Sequence, residues 1–180
     1  MQAGHQSAGI SYWDHGALVA ARFRDLMSPT PSMNWHLPAW FTENQEWIRS
    51  ELAADFQTIL TYHQWHDCGK PYCLTIDENG KKHYPNHAEV SSRIWMSLGG
   101  DAHIGGLILK DMMCHTLRPP QAADFAQNEP DALILLTTAL CELHANATMF
   151  GGFQSDSFKI KYKRLDRCGS TILSVLKEQS

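Results

Sequence analysis

The sequence predicts an all-α domain with one small inserted β-hairpin at about residues 72–84. Three observations carry that expectation. Apolar residues recur at helical spacing along most of the 180 residues. Proline and glycine clusters cut the chain into helix-sized segments. One Asn79-Gly80 pair, between the short β-prone arms of YCLTIDENGKKHY, gives a hairpin signal.

The elements follow in order. Asp14 is placed to cap a first helix, HGALVAARFRDLM, whose Leu18, Phe23 and Leu26 suit one buried face. Ser28-Pro29-Thr30-Pro31 stops it. An aromatic loop with Trp35, Pro38 and Trp40 follows. Thr42 and Gln45 read as the capping box of a long second helix that runs through Trp47, Leu52, Phe56, Ile59 and Leu60 toward Trp65 and ends at Gly69 and Pro71. Past the hairpin, Pro85-Asn86 opens a third helix, closed by Gly99-Gly100. A fourth, about Asp101 to His115, stops at Pro119-Pro120. The fifth, DALILLTTALCELHANA, is apolar almost all round and therefore central. A sixth starts near Ser157 and repeats Phe158, Tyr162, Leu165, Ile172 and Leu176 at helical spacing.

Composition bounds the class of protein. Apolar residues make up 43% and charged residues 19%, which supplies a core and argues against disorder. A net charge of −4 argues against non-specific coating of nucleic acid. No apolar run approaches the roughly 18–20 residues that cross a bilayer. The N-terminal stretch lacks the basic-then-apolar order of a secretory signal. The expectation is one cytoplasmic domain over 1–180, with no membrane partner. Five scattered cysteines read as reduced, mostly buried thiols, and Cys68 and Cys73 are too widely spaced for a CxxC pair.

Histidine is the unusual component. Ten in 180 residues is more than twice the roughly 2–3% of ordinary soluble composition. His66 and Asp67 fall at the end of the second helix, with Lys70 just past the glycine stop. That combination supplies a neutral nitrogen ligand, a hard oxygen ligand and a fixed cation, as metal-assisted phosphoryl chemistry requires. His15 opens the first helix, His87 the third, and His115 closes the fourth. Asp111 and His115, spaced i, i+4, would share a face. Glu142 and His144 interrupt the apolar fifth helix, where an unpaired charge costs several kcal/mol. Polar ligands from five helices suit a site inside a bundle. His63 fits either a ligand or a hydrogen-bonding role behind the ligands. His5, His36, His83 and His103 read as surface or loop residues.

HDCGKP followed by TIDENGKKHYPNHAEVS resembles the core of the HD-superfamily metal-dependent phosphohydrolases. The resemblance is closest to the HD domains of bacterial tRNA nucleotidyltransferases and of polynucleotide end-healing enzymes, and it covers roughly His15 to Asn146. It implies an HD-domain helical bundle in which His15, His66 and Asp67 bind metal. His87 and His115 would line the same pocket, on a second metal or on phosphate, and Lys70 would hold phosphate oxygens. Two positions depart from the pattern. The interval between His15 and His66 is long, so 28–41 reads as a Trp/Pro-rich insertion and His36 rivals His15 as first ligand. The closing aspartate aligns with Glu142, with Asp111 as the competing carboxylate.

The resemblance implies one or two divalent ions (Mn, Fe, Co, Ni or Zn, by the mixed N/O donors) and hydrolysis by metal-activated water. Asp67, Lys70, His87 and His115 would be the catalytic set. The expected substrate is a nucleotide or RNA-end phosphoester, a 2′,3′-cyclic phosphodiester first and a phosphomonoester next. A deoxynucleotide hydrolase and a non-catalytic nucleotide-binding module are the alternatives. Lys159, Lys161, Lys163, Arg164 and Arg167 place five cations within nine residues. They fit either a solvated face or a phosphate contact, with Lys161 and Arg164 the substrate-binding candidates. Trp35, Trp40 and Phe41 suit burial or base stacking. Domains of this type often pair, and the Trp-rich segment offers a surface for a homodimer.

Overall fold

The computed structural model describes residues 11–179. It is an all-α bundle with a minimal hairpin. The first helix, α1 (Tyr12–Met27), is capped by Ser11, whose hydroxyl accepts from the Asp14 N–H at 3.0 Å while the Asp14 carboxylate reaches back to Ser11. Asp14 thus closes a capping box from the third helical position instead of being the cap itself. His5 lies outside the described residues.

A short α2 (Ala39–Thr42) closes the segment expected as an aromatic loop, and the expected second helix is in fact two, α3 (Gln45–Leu52) and α4 (Phe56–Trp65). The Thr42 and Asn44 side chains bond back to carbonyls of Pro38, Ala39 and Trp40, so they terminate α2 where a capping box for one long helix was expected. A tight turn, with the Ala53 N–H on the Ser50 carbonyl, then separates α3 from α4. Nothing in Ala53-Ala54 announces that break.

The hairpin pairs β1 (Thr75–Ile76) with β2 (Lys82–His83), antiparallel, around Gly80 at φ +76°. Then come α5 (His87–Ser97), α6 (Ala102–Lys110) and α7 (Met113–Thr116). The expected fourth helix therefore breaks at Asp111-Met112, and Asp111 and His115 do not sit on one continuous helix. A further helix, α8 (Ala122–Asn128), occupies the stretch between the two proline stops that periodicity left unassigned. It is only two turns long, but it buries Ala122, Phe125 and Ala126.

The centre is α9 (Ala132–Ala145), in which every residue is buried. At about 1.5–3 kcal/mol for each large apolar side chain removed from water, its leucines and isoleucine are a principal store of stability. One wall against it is α1, which also packs on α4. The other is α10 (Asp156–Gln179), which covers both α8 and α9. The aromatic segment belongs to this core. Trp40 and Phe41 are buried, and Trp35 donates its indole N–H to Asp25 at 2.7 Å. Burial claims Trp40 and Phe41, and Trp35 is partly buried against the same core. No helix among the described residues is long and apolar enough to cross a membrane.

Candidate metal centre

Two close helix contacts build the site. Gly16 lies where α1 crosses α4, and a Cβ there would stand 2.7 Å from the His63 carbonyl oxygen. That approach brings His15, on α1, against His66, with ring centroids 5.4 Å apart. Gly69 does the same for α5: a Cβ would stand 2.5 Å from the Ser91 amide nitrogen. The Gly69 N–H instead donates to Ser91 Oγ at 2.8 Å. The HDCGK turn is thereby fastened to α5, with His87 at its start.

Three elements, α1, the end of α4 and α7, bring histidines to Glu142 of α9. His66 Nε2 lies 2.6 Å from Glu142 Oε1, His115 Nε2 lies 2.5 Å from Oε2, and His15 Nε2 lies 3.9 Å from Oε1. Asp67 sits beside them, its Oδ2 3.4 Å from His66 Nε2 and 3.8 Å from His15 Nε2. Its Oδ1 is 3.8 Å from His87 Nε2. Lys70 Nζ donates to Asp67 Oδ2 at 2.5 Å. His15, His66 and Glu142 are all buried, and their ligand atoms lie within 4.8 Å of one another. This group can hold a metal ion.

The histidine hydrogen bonds fit that use. His66 Nδ1 donates to the His63 carbonyl at 2.7 Å, and His87 Nδ1 donates to the Tyr84 carbonyl at 3.0 Å. When neutral, each ring then presents its Nε2 lone pair to the site, the arrangement by which metal-binding imidazoles are oriented. The His66 and His115 Nε2 atoms are buried and close to carboxylate oxygens, yet among the described residues neither meets the geometry of a hydrogen bond. Buried nitrogens without aligned partners are costly. A cation held between them and the carboxylates would remove that cost.

The charges are strongly coupled. Burial opposes ionisation of Asp67 and Glu142, but the neighbouring His66, with Lys70 for Asp67 and His115 for Glu142, holds both below the usual carboxylate range. Burial likewise opposes charging of His66 and His115. The carboxylates, Asp67 and Glu142 for His66 and Glu142 for His115, outweigh it and raise both imidazoles. Lys70, half-enclosed beside Asp67, is raised too and stays an ammonium.

Asp111 behaves differently. Its Oδ1 accepts from the Tyr62 hydroxyl at 2.5 Å, and burial followed by the charge of Glu142 raises its pKa. It lines the cleft, but among the described residues no histidine pairs with it. Glu142 is the carboxylate in reach of the histidines. His36 is also elsewhere: its ring packs on Tyr162, and its backbone bonds to His144. His144 is pinned among Trp35, Phe153 and Phe158, and His63 bonds Thr138 at 2.9 Å, so neither ring joins the cluster. What His63 contributes is its carbonyl. His83 and His103 pair with Asp77 and Asp131 near the surface.

The cluster forms the floor of a cleft of about 730 Å³, which Lys161 and Arg164 of α10 also line. Arg164 donates to the His115 carbonyl. Sequence reasoning missed Tyr62, Tyr84, Ser91 and Asn146. Only Tyr84 carried a local signal, three residues before His87.

No protein-family profile, curated protein or solved structure matches this chain. The site stands on its own geometry.

Proposed function

We propose that this chain is a divalent-metal-dependent phosphohydrolase of the HD type, acting on nucleotide or RNA-end phosphoesters. One observation carries the reading: buried nitrogen and oxygen donors from α1, the α4 end and α9 meet at the floor of an open cleft, with a lysine fixed on one of the carboxylates. The resemblance of HDCGKP and its hairpin supports the same reading.

His15, His66, Asp67 and Glu142 would hold the ion, and His87 and His115 would serve a second ion or phosphate. A bound transition metal would neutralise phosphoryl charge and lower the pKa of a coordinated water toward about 7. The protein supplies the rest. Lys70 keeps its charge beside Asp67 and can extend it to a phosphoryl oxygen, where charge develops during in-line displacement. His87, whose Nδ1–H is held by the Tyr84 carbonyl, would donate from Nε2 to a leaving oxygen when the ring is protonated. Oxygen and nitrogen donors together favour Mn, Fe, Co, Ni or Zn over calcium.

The test is elemental analysis of the purified protein and a hydrolysis screen with each of these metals. Substrates are 2′,3′-cyclic nucleotides, nucleoside monophosphates, deoxynucleoside triphosphates and RNAs of defined ends. Hydrolysis of a cyclic or terminal phosphoester, lost together with bound metal in Asp67→Ala, is the expected result. Nucleotide binding without turnover under every metal would replace the enzyme by a regulatory module.

A further inference from the structure

The cleft extends beyond the metal-ligand cluster, and its outer wall has a different chemistry. Its three carboxylates, Asp67, Asp111 and Glu142, are all buried on the floor, already engaged with the histidines, Lys70 and Tyr62. Its wall on α10 carries Lys161 and Arg164, three positions apart and so on one helical face. Among the described residues no carboxylate pairs with either cation. Lys161 Nζ rests 5.2 Å from the centre of the Phe150 ring. Arg164 spends one N–H on a neutral acceptor, the His115 carbonyl, which fixes the guanidinium without neutralising it. Two cations of the cleft wall with no carboxylate partner among the described residues, in a chain of net charge −4, form a local anion site. Asn146, one turn past Glu142 on the same side, has a buried Oδ1 with no hydrogen-bond partner among the described residues. It can accept from a ligand hydroxyl or amino group.

We propose that the α10 wall is a second anion subsite, binding a phosphate of the substrate other than the one hydrolysed at the floor. This rests on the phosphohydrolase reading and narrows its substrate class. The expected ligand carries a second phosphate besides the scissile one, as in a nucleoside bisphosphate or the terminal nucleotide of an RNA. Lys70 is held on Asp67 of the floor, whereas Lys161 and Arg164 stand on α10, held against the Phe150 ring and the His115 carbonyl. A hydrogen bond to a charged group contributes about 1.5–3 kcal/mol, which corresponds to roughly ten- to hundredfold in affinity.

The test is calorimetric binding of adenosine 3′,5′-bisphosphate and adenosine 5′-monophosphate to the metal-loaded protein, with turnover recorded separately. The bisphosphate should bind at least about tenfold more tightly. That preference should collapse in Lys161→Glu, an exposed position on α10, and survive in Lys161→Arg. A short RNA with the same terminal nucleotide that outcompetes the bisphosphate assigns the polynucleotide as source, and the reverse order assigns the free nucleotide. Equal affinities, no binding of either ligand, or a preference that persists in Lys161→Glu would overturn the subsite. A preference without hydrolysis of any substrate keeps the subsite and removes the hydrolase. Hydrolysis without a preference does the opposite.

Discussion

Tyr62 and Asp111 share a hydrogen bond of 2.5 Å inside the core, the phenol donating to Oδ1. The bond occupies one oxygen of Asp111, while both oxygens of Glu142 face histidines. The two carboxylates that compete for the last ligand position should therefore separate experimentally. Glu142→Gln should lose bound metal, and Asp111→Asn should keep it. Tyr62→Phe should cost about 1–3 kcal/mol of stability, the penalty of leaving a buried acceptor unpaired, with metal content unchanged. Urea unfolding and elemental analysis read both quantities. Metal loss in Asp111→Asn with retention in Glu142→Gln would reverse the assignment.

Metal binding should release protons. Without a metal, burial opposes charging of His66 and His115. Asp67 and Glu142 for His66, and Glu142 for His115, outweigh it and raise both imidazoles, favouring their protonated forms. A ligating imidazole must be neutral. Calorimetric titration of chelator-stripped protein in buffers of different ionisation enthalpy should show net proton release on metal binding. Affinity should rise with pH. Proton uptake, or affinity that falls as pH rises, would contradict the coupling.

The Gly69 contact makes a backbone prediction. A methyl group at position 69 meets the Ser91 backbone, which cannot step aside. Gly69→Ala should destabilise by about 1–3 kcal/mol, the usual cost of overpacking, and should weaken metal retention by moving the 66–70 turn off α5. Gly106, inside α6, has nothing within 4 Å of the added atom. Gly106→Ala should stabilise by about 0.5–1 kcal/mol. Thermal or urea unfolding of the two variants should move in opposite directions.

Acid should act through His144. Burial is the first cause holding its pKa down, at about 4, against 6.5 for an unconstrained ring. The unfolded chain therefore binds this proton more readily, and the neutral ring's contribution to stability is present above pH 6.5. It is lost progressively as pH falls toward 4. The stability difference between the protein and His144→Gln should shrink across that window. A difference independent of pH would show that this ring does not titrate as its burial requires.

Much of the architecture was legible because helical periodicity and proline or glycine stops are local signals. The hairpin turn, the stop after Met27 and the buried character of α9 all lie within a few adjacent residues. The splitting of the second and fourth helices was not legible. Asn44 and Thr42 end α2 by turning back on its carbonyls, and the apolar spacing runs on past Ala53 although the helix does not. Helix α8 was too short to show a period, and its two turns are held by packing on α10.

The site divides along the same line. Sequence by itself determined which residue types were available for metal chemistry: the adjacent His66 and Asp67, Lys70 beyond the glycine, and a carboxylate placed in an apolar helix, each readable from its immediate neighbours. Only the tertiary structure decided their company, because distances between helices depend on packing. The crossing at Gly16 seats His15 beside His66, Tyr62 draws off Asp111 and leaves Glu142 to the histidines, and α10 carries Lys161 and Arg164 to a cleft built from residues far away in the chain.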